Sequence, residues 1–237
     1  LGIPISSKHA IETNAWLQTI YPNIVACGDV AGPYQFTHIA AHQAWYASVN
    51  ALFGELRRFK VDYSVIPWTT FTEPEVARVG LSENDAKARG VAYEVTRFNL
   101  ADLDRAIADE AAHGFVKVLT VPGKDRILGV CIVSAHASDL LAEFVLAMKH
   151  GLGLNKILGT IHTYPTCSEA NKYAAAEWVG LMNSHPEIFE AGGKEVPLRD
   201  GMIELLEDLL SDENCNITIL TTNFNPFMKA VLSRIKG

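Results

Sequence analysis

Phe115-Val116-Lys117-Val118-Leu119-Thr120-Val121, then Pro122-Gly123-Lys124-Asp125, then Arg126-Ile127-Leu128-Gly129-Val130-Cys131-Ile132-Val133: the fold turns on these consecutive segments. The two apolar runs read as strands, and the four residues between them are turn chemistry. The pair is therefore expected to be a hairpin, the seed of an antiparallel sheet. Downstream, 137–150 reads as an apolar helix stopped at Gly151, and 168–178 as another helix. Upstream, 65–71 is strand-like, and Ser82 opens a helix with Glu83 and Asp85 in its first turn, where negative charge suits the helix N-terminus. Strands with helices gathered on one side predict an α+β layer.

Farther upstream, Asn23-Ile24-Val25-Ala26-Cys27 reads as a short buried strand that ends at Gly28-Asp29. A helix is expected over 38–53, and a polar link over 57–62 marks a domain boundary. Beyond 183 the character changes again. A helix over 200–210, a strand over 216–220 and a helix over 226–235 make a short α/β unit. Three segments follow: 1–60, 61–180 and 181–237.

Composition narrows the function classes. Of 237 residues, 49% are hydrophobic and 20% charged, an ordinary globular balance. The net charge is −7 with no basic stripe, so nucleic acid is not an expected partner. No apolar run approaches the roughly 20 residues of a membrane helix, and Leu1-Gly2-Ile3-Pro4 has no signal-peptide character, so no membrane partner is expected. Cys27, Cys131, Cys167 and Cys215 show no metal-ligand spacing and read as buried, reduced thiols of a cytoplasmic protein. His38 and His42 share a helix face, but Ile39 stands where a zinc protease motif needs Glu, and no metal is expected. Trp45 and Tyr46 read as packing residues, and Asp102, Asp104, Asp109 and Glu110 as a solvated loop.

Three segments carry candidate chemistry. In the first, Gly28 permits close backbone approach, Asp29 can accept hydrogen bonds from sugar hydroxyls, and a helix N-terminus near Thr37 and His38 favours an anion. A plain turn fits the same letters. The second is 71–83, Phe71-Thr72-Glu73-Pro74-Glu75-Val76-Ala77-Arg78-Val79-Gly80-Leu81-Ser82-Glu83, which reads as strand, Pro turn, strand and capped helix. The third is Ile161-His162-Thr163-Tyr164-Pro165-Thr166-Cys167-Ser168-Glu169-Ala170. It sets a phenol and a carboxylate at a helix start, where a capped helix with a packed Tyr is the plainer alternative.

Together these segments resemble the pyridine nucleotide-disulfide oxidoreductases, the flavoenzyme family of dihydrolipoamide dehydrogenase, glutathione reductase and mercuric reductase. Ile24-Val25-Ala26-Cys27-Gly28-Asp29-Val30 is similar to the family's second FAD motif. Residues 71–83 resemble the opening of its dimerisation domain. Arg105-Ala106, Gly114-Phe115-Val116-Lys117, Ile127-Leu128-Gly129-Val130 and Tyr164-Pro165-Thr166-Cys167-Ser168-Glu169 follow in family order. The resemblance runs from about Tyr21 to Trp178. It implies the end of an FAD-binding α/β domain, then a dimerisation domain with an antiparallel sheet and helices. It further implies FAD and NAD(P)H as cofactors, a homodimer, and a small thiol, disulfide or metal-ion substrate. Gly28 and Asp29 would serve the flavin's ribityl chain, and Thr37 and His38 its pyrimidine end. Tyr164 and Glu169 would be catalytic, reaching across a two-fold axis into the partner's site.

Two departures matter. Lipoamide and glutathione branches have His where Tyr164 stands, so Tyr164 resembles the mercuric-reductase branch, although no terminal Cys-Cys pair accompanies it. The family's G-x-G-x-x-G fingerprints and C-x4-C redox pair are absent, so this chain alone is expected not to turn over. The rival expectation is a non-catalytic dimerisation module. It is joined by 197–223, whose Thr221 and Thr222 resemble part of a haloacid-dehalogenase-type phosphatase, or by a plain C-terminal extension.

Overall fold

The computed structural model describes residues 2–184. The readings made above for Cys215, Thr221, Thr222 and the α/β tail lie outside the described residues. The chain divides into two compact units, one ending at Ser64 and the other beginning at Val65.

The first unit holds one long helix, α1 (Thr37–Phe53). Its buried residues Ile39, Gln43 and Ala47 recur every fourth position, a single inward stripe. The strand expected over 23–27 does not form. A strand needs a partner in register, and the pairing here is a lone bridge between Gln18 and Val25. Val25 stays 37% exposed while Ala26 is buried.

The second unit is an α+β layer. Its elements are β1 (Pro67–Thr70), β2 (Glu75–Gly80), α2 (Glu83–Ala88), β3 (Glu94–Asn99), a 3-10 turn (Leu100–Asp102), α3 (Asp104–Ala108), β4 (Phe115–Thr120), β5 (Ile127–Ser134), α4 (Ala137–Lys149), α5 (Leu154–Leu158) and α6 (Glu169–Ser184). The five strands form one antiparallel sheet in the order β1-β2-β5-β4-β3. The β4–β5 hairpin is as expected, with the turn closed by Lys124 N–H donating to the Val121 carbonyl. Side chains alternate in a strand, so one face of the sheet carries Phe98, Val116, Ile132 and Ala77 directly opposite one another across four strands. All four are buried, and α4 and α6 cover them.

On the other face, Lys117 pairs with Glu83 at 2.7 Å, which ties α2 to the sheet. That helix begins with a reciprocal cap: Asp85 N–H donates to Ser82 Oγ, and Ser82 N–H donates to the Asp85 carboxylate. Glu75, at the head of β2, accepts from the N–H and hydroxyl of Ser138 at 2.9 and 2.7 Å. It thereby places a negative charge at the N-terminus of α4.

Two readings need correction. The acidic stretch is only partly loop: Leu100, Leu103 and Ala106 recur at helical spacing and are buried, which folds 100–108 into a 3-10 turn and α3, with Asp102 and Asp104 outward and Asp109 and Glu110 in the turn that follows. The thiols of Cys27, Cys131 and Cys167 are free but only half-buried. Trp45 does pack, its ring edge-on to Tyr46 and Phe59, at the surface, where it is 54% exposed. The sequence reading also passed over β3 and α5. Among the described residues, no helix is long and apolar enough to cross a membrane.

Two stability predictions follow from this packing. Gly114 has φ +115°, and a Cβ there would run into the backbone carbonyl of Val133. Gly114→Ala should lower unfolding free energy by about 2–3 kcal/mol in urea titrations, from strain and the forced backbone shift. Glu94 has one carboxylate oxygen buried without a partner, and the other accepts only from Gly123 N–H. Burial raises its pKa, with the Gly123 hydrogen bond opposing the shift. A raised native pKa stabilises in acid, below the ordinary carboxylate range, and that contribution is lost as pH rises through the native value. Glu94→Gln should therefore be more stable than wild type at neutral pH, with the gap closing in acid; urea midpoints at both pH values check it.

Candidate functional site

In the first unit, Gly28 turns the chain with φ +82°. Its N–H donates to Gln43 Oε1 at 2.6 Å, and its carbonyl accepts from Ala31 and Gly32 N–H. The Gln43 amide donates onward to the Gly32 carbonyl at 2.6 Å and to the Tyr63 hydroxyl at 2.7 Å. Gln43 is fully buried, and its amide thus pins the 28–32 turn to α1. Asp29, Thr37 and His38 are all exposed. Phe36, at the N-cap of α1, makes no side-chain cap hydrogen bond and stacks on His38 at 5.3 Å. A cleft of about 650 Å³ lies in this unit between Ser6, Lys8, Glu12, Gly32 and Tyr63. Its lining does not include Asp29, Thr37 or His38. The sequence reading missed Gln43. Its signal was a polar residue in the inward stripe between Ile39 and Ala47.

In the second unit, the segment between α5 and α6 leaves Ile161 95% and Tyr164 59% exposed. Tyr164 and Glu169 lie five positions apart yet serve different partners. The Tyr164 hydroxyl donates to Asp104 Oδ2 at 2.9 Å. Glu169 is buried, accepting from Thr166 N–H at 3.2 Å and from the Tyr173 hydroxyl at 3.3 Å. It ties Thr166 back to the first turn of α6. The Asp104 hydrogen bond, then the Asp104 charge, raises the Tyr164 pKa, with Glu169 adding to it. Tyr164 is thus not a base at neutral pH.

His162 is no freer. Its Nδ1 faces the Thr160 carbonyl at 3.0 Å and its Nε2 the Glu143 carboxylate at 3.0 Å. Both ring nitrogens are thus engaged within the protein. Glu143 also accepts from Asn171 Nδ2, whose second hydrogen goes to the Leu140 carbonyl. Burial pushes the Cys167 thiol above its ordinary pKa, and Asp109 adds to this. That opposes a reactive thiolate. A cleft of about 290 Å³ sits beside the segment, between His136, Asp139, Glu143, Cys167 and Asn171. Among the described residues, no group of three or more His, Cys, Asp or Glu is placed to hold a metal ion. Asn171 was detectable as a polar residue among Ala170, Ala174 and Ala175. Asp104 and Glu143 had no local signal, because their partners are far along the chain.

Glu143 anchors the exposed segment to α4. Glu143→Ala strands the buried His162 ring and an Asn171 donor, at a cost of about 1–3 kcal/mol. Urea unfolding should show that loss, and hydrogen exchange should speed up over 160–168.

The comparisons with known proteins bear on the family and the fold. The family described as pyridine nucleotide-disulphide oxidoreductase, dimerisation domain, matches residues 66–175. Dihydrolipoyl dehydrogenase of Chlamydia muridarum is 36% identical over 168 residues, 71% of this chain and 36% of that protein. The Staphylococcus aureus dihydrolipoyl dehydrogenase is 34% identical over 180 residues, 76% and 38% of the two chains. Among solved structures, LpdA from Mycobacterium tuberculosis superposes with a TM-score of 0.67 at 27% identity, covering 74% of this chain and 38% of that one. The HOCl-induced flavoprotein disulfide reductase RclA from Escherichia coli gives the same score and identity, covering 74% and 40%. The chain spans well under half the length of these relatives. Through residues 66–175, this chain belongs to the pyridine nucleotide-disulphide oxidoreductase family and carries its dimerisation domain.

Proposed function

We propose that the chain is part of a homodimeric, FAD-dependent NAD(P)H oxidoreductase acting on a small disulfide or metal-thiolate substrate in the cytoplasm. The observation that carries this reading is the exposed 161–164 segment on a dimerisation domain, with Tyr164 at the surface and Glu169 buried behind it. In this reading residues 1–60 close the flavin site, 61–180 make the dimer, and Tyr164 with Glu169 forms part of the partner's active-site wall.

The residues of the first unit fit a flavin. Asp29 is an exposed carboxylate on a turn that Gln43 holds still, suited to ribityl hydroxyls. The N-terminus of α1, at Thr37 and His38, lacks a side-chain cap and favours negative charge. When bound, the flavin supplies a two-electron carrier between nicotinamide and thiols. This chain's own residues then have limited parts. Asp29 orients, α1 polarises, and Tyr164 offers a fixed phenol. Glu169, engaged with Thr166 and Tyr173, holds the segment and is a positioning residue. The replacement of the family's His by Tyr164 goes with a substrate that needs no strong base at this point.

Sedimentation equilibrium and FAD fluorescence quenching on the complete protein of which this chain is part test the reading. A dimer that binds FAD, with affinity falling roughly tenfold or more in Asp29→Ala, is expected from loss of a charged hydrogen bond. A stable dimer with no flavin affinity would support the rival, a non-catalytic dimerisation module. The oxidoreductase reading would then fall.

A further inference from the structure

We infer that Asp104 is a positioning residue for Tyr164. Its carboxylate, and not that of Glu169, holds the phenol in place on the exposed segment. The inference rests on the proposed function for any catalytic meaning, but the pairing stands on geometry alone.

Tyr164 is 59% exposed, so little packing fixes its ring. Its hydroxyl finds Asp104 Oδ2 at 2.9 Å across 60 residues of sequence. Asp104 is well placed for this, because its own helix is anchored: Leu103 and Ala106, on either side of it, are 1% and 4% exposed. The neighbouring cation, Arg105, is taken by Asp109 at 2.7 Å, which leaves the Asp104 carboxylate to the phenol. Glu169 is instead engaged inward, by the Thr166 N–H and the Tyr173 hydroxyl.

The consequence is chemical. A carboxylate accepts the phenol hydrogen, so the hydrogen points to Asp104 and the oxygen lone pairs are left to face outward. The charged groups acting on Tyr164 are Asp104, first, and Glu169; both oppose its ionisation. The segment therefore presents an acceptor oxygen on a protonated ring, where the family's His would present a titrating nitrogen.

The test is a tyrosinate titration by ultraviolet absorbance on the 237-residue chain, with circular dichroism marking the pH range in which it stays folded. The chain has seven tyrosines. Asp104→Asn should let one of them ionise at lower pH than in wild type. The difference should vanish when both proteins also carry Tyr164→Phe. Asp104→Ala, which removes the acceptor altogether, should behave like Asp104→Asn. Superimposable titrations of wild type and both variants would overturn the inference, as would a difference that survives Tyr164→Phe. The titration needs neither flavin nor turnover. A failed flavin-binding measurement would remove the oxidoreductase reading and leave this pairing intact, whereas a failed titration would do the reverse.

Discussion

Burial of a single apolar row governs the second unit. Phe98, Val116, Ile132 and Ala77 stand opposite one another across β3, β4, β5 and β2, under α4 and α6. Side chains alternate along a strand, so a slip of one residue would turn this row to solvent and bring Arg97, Lys117, Cys131 and Arg78 inside. Two of those cations instead lie against aromatic rings on the far face: Arg78 over Trp68 and Arg97 over Phe115, each at 4.2 Å. The register is thus specified from both faces at once.

The candidate site of the second unit hangs from that register. The end of β5 delivers the chain to α4, and Glu75 at the head of β2 caps the same helix. Helix α4 then offers Glu143 to His162 and to Asn171, which ties down both ends of the exposed segment. On the opposite side, β3 leads through Leu100 and Leu103 into α3, whose first residue meets Tyr164. The segment is irregular and mostly exposed, yet it is held by side chains from two helices that the sheet fixes in place.

The structure also separates roles that neighbouring letters suggest are shared. Tyr164 and Glu169 look like a pair in sequence, but the carboxylate turns inward to Thr166 N–H and the Tyr173 hydroxyl while the phenol turns outward to Asp104. His162, two positions from the phenol, anchors the segment through the Thr160 carbonyl and the Glu143 carboxylate. In the first unit, the Gly28-Asp29 turn reads as a ligand-binding turn or as a plain one. Gln43 makes it a rigid one, because a buried amide must use its donors and acceptor on the nearest backbone groups.

Local chemistry made much of this legible. The β4–β5 hairpin, the capped start of α2, α1 and α4 depend on turn residues, caps and periodicity that operate within a few positions. Where a local pattern lacked its partner, the reading failed: 23–27 is apolar enough for a strand but meets only one bridge. Where packing overrode composition, it failed again: the Asp-rich stretch at 102–110 became partly helical because Leu100, Leu103 and Ala106 are drawn into the core. By itself the sequence determined the α+β class, the antiparallel hairpin and the family. Only the tertiary structure decided the strand order β1-β2-β5-β4-β3, the capping of α4 by Glu75, and the partners of Tyr164, His162 and Gln43. Apart from His162 with Thr160, those side-chain contacts join residues 11 to 63 positions apart, and no local pattern encodes which distant group a buried donor or an exposed phenol will reach.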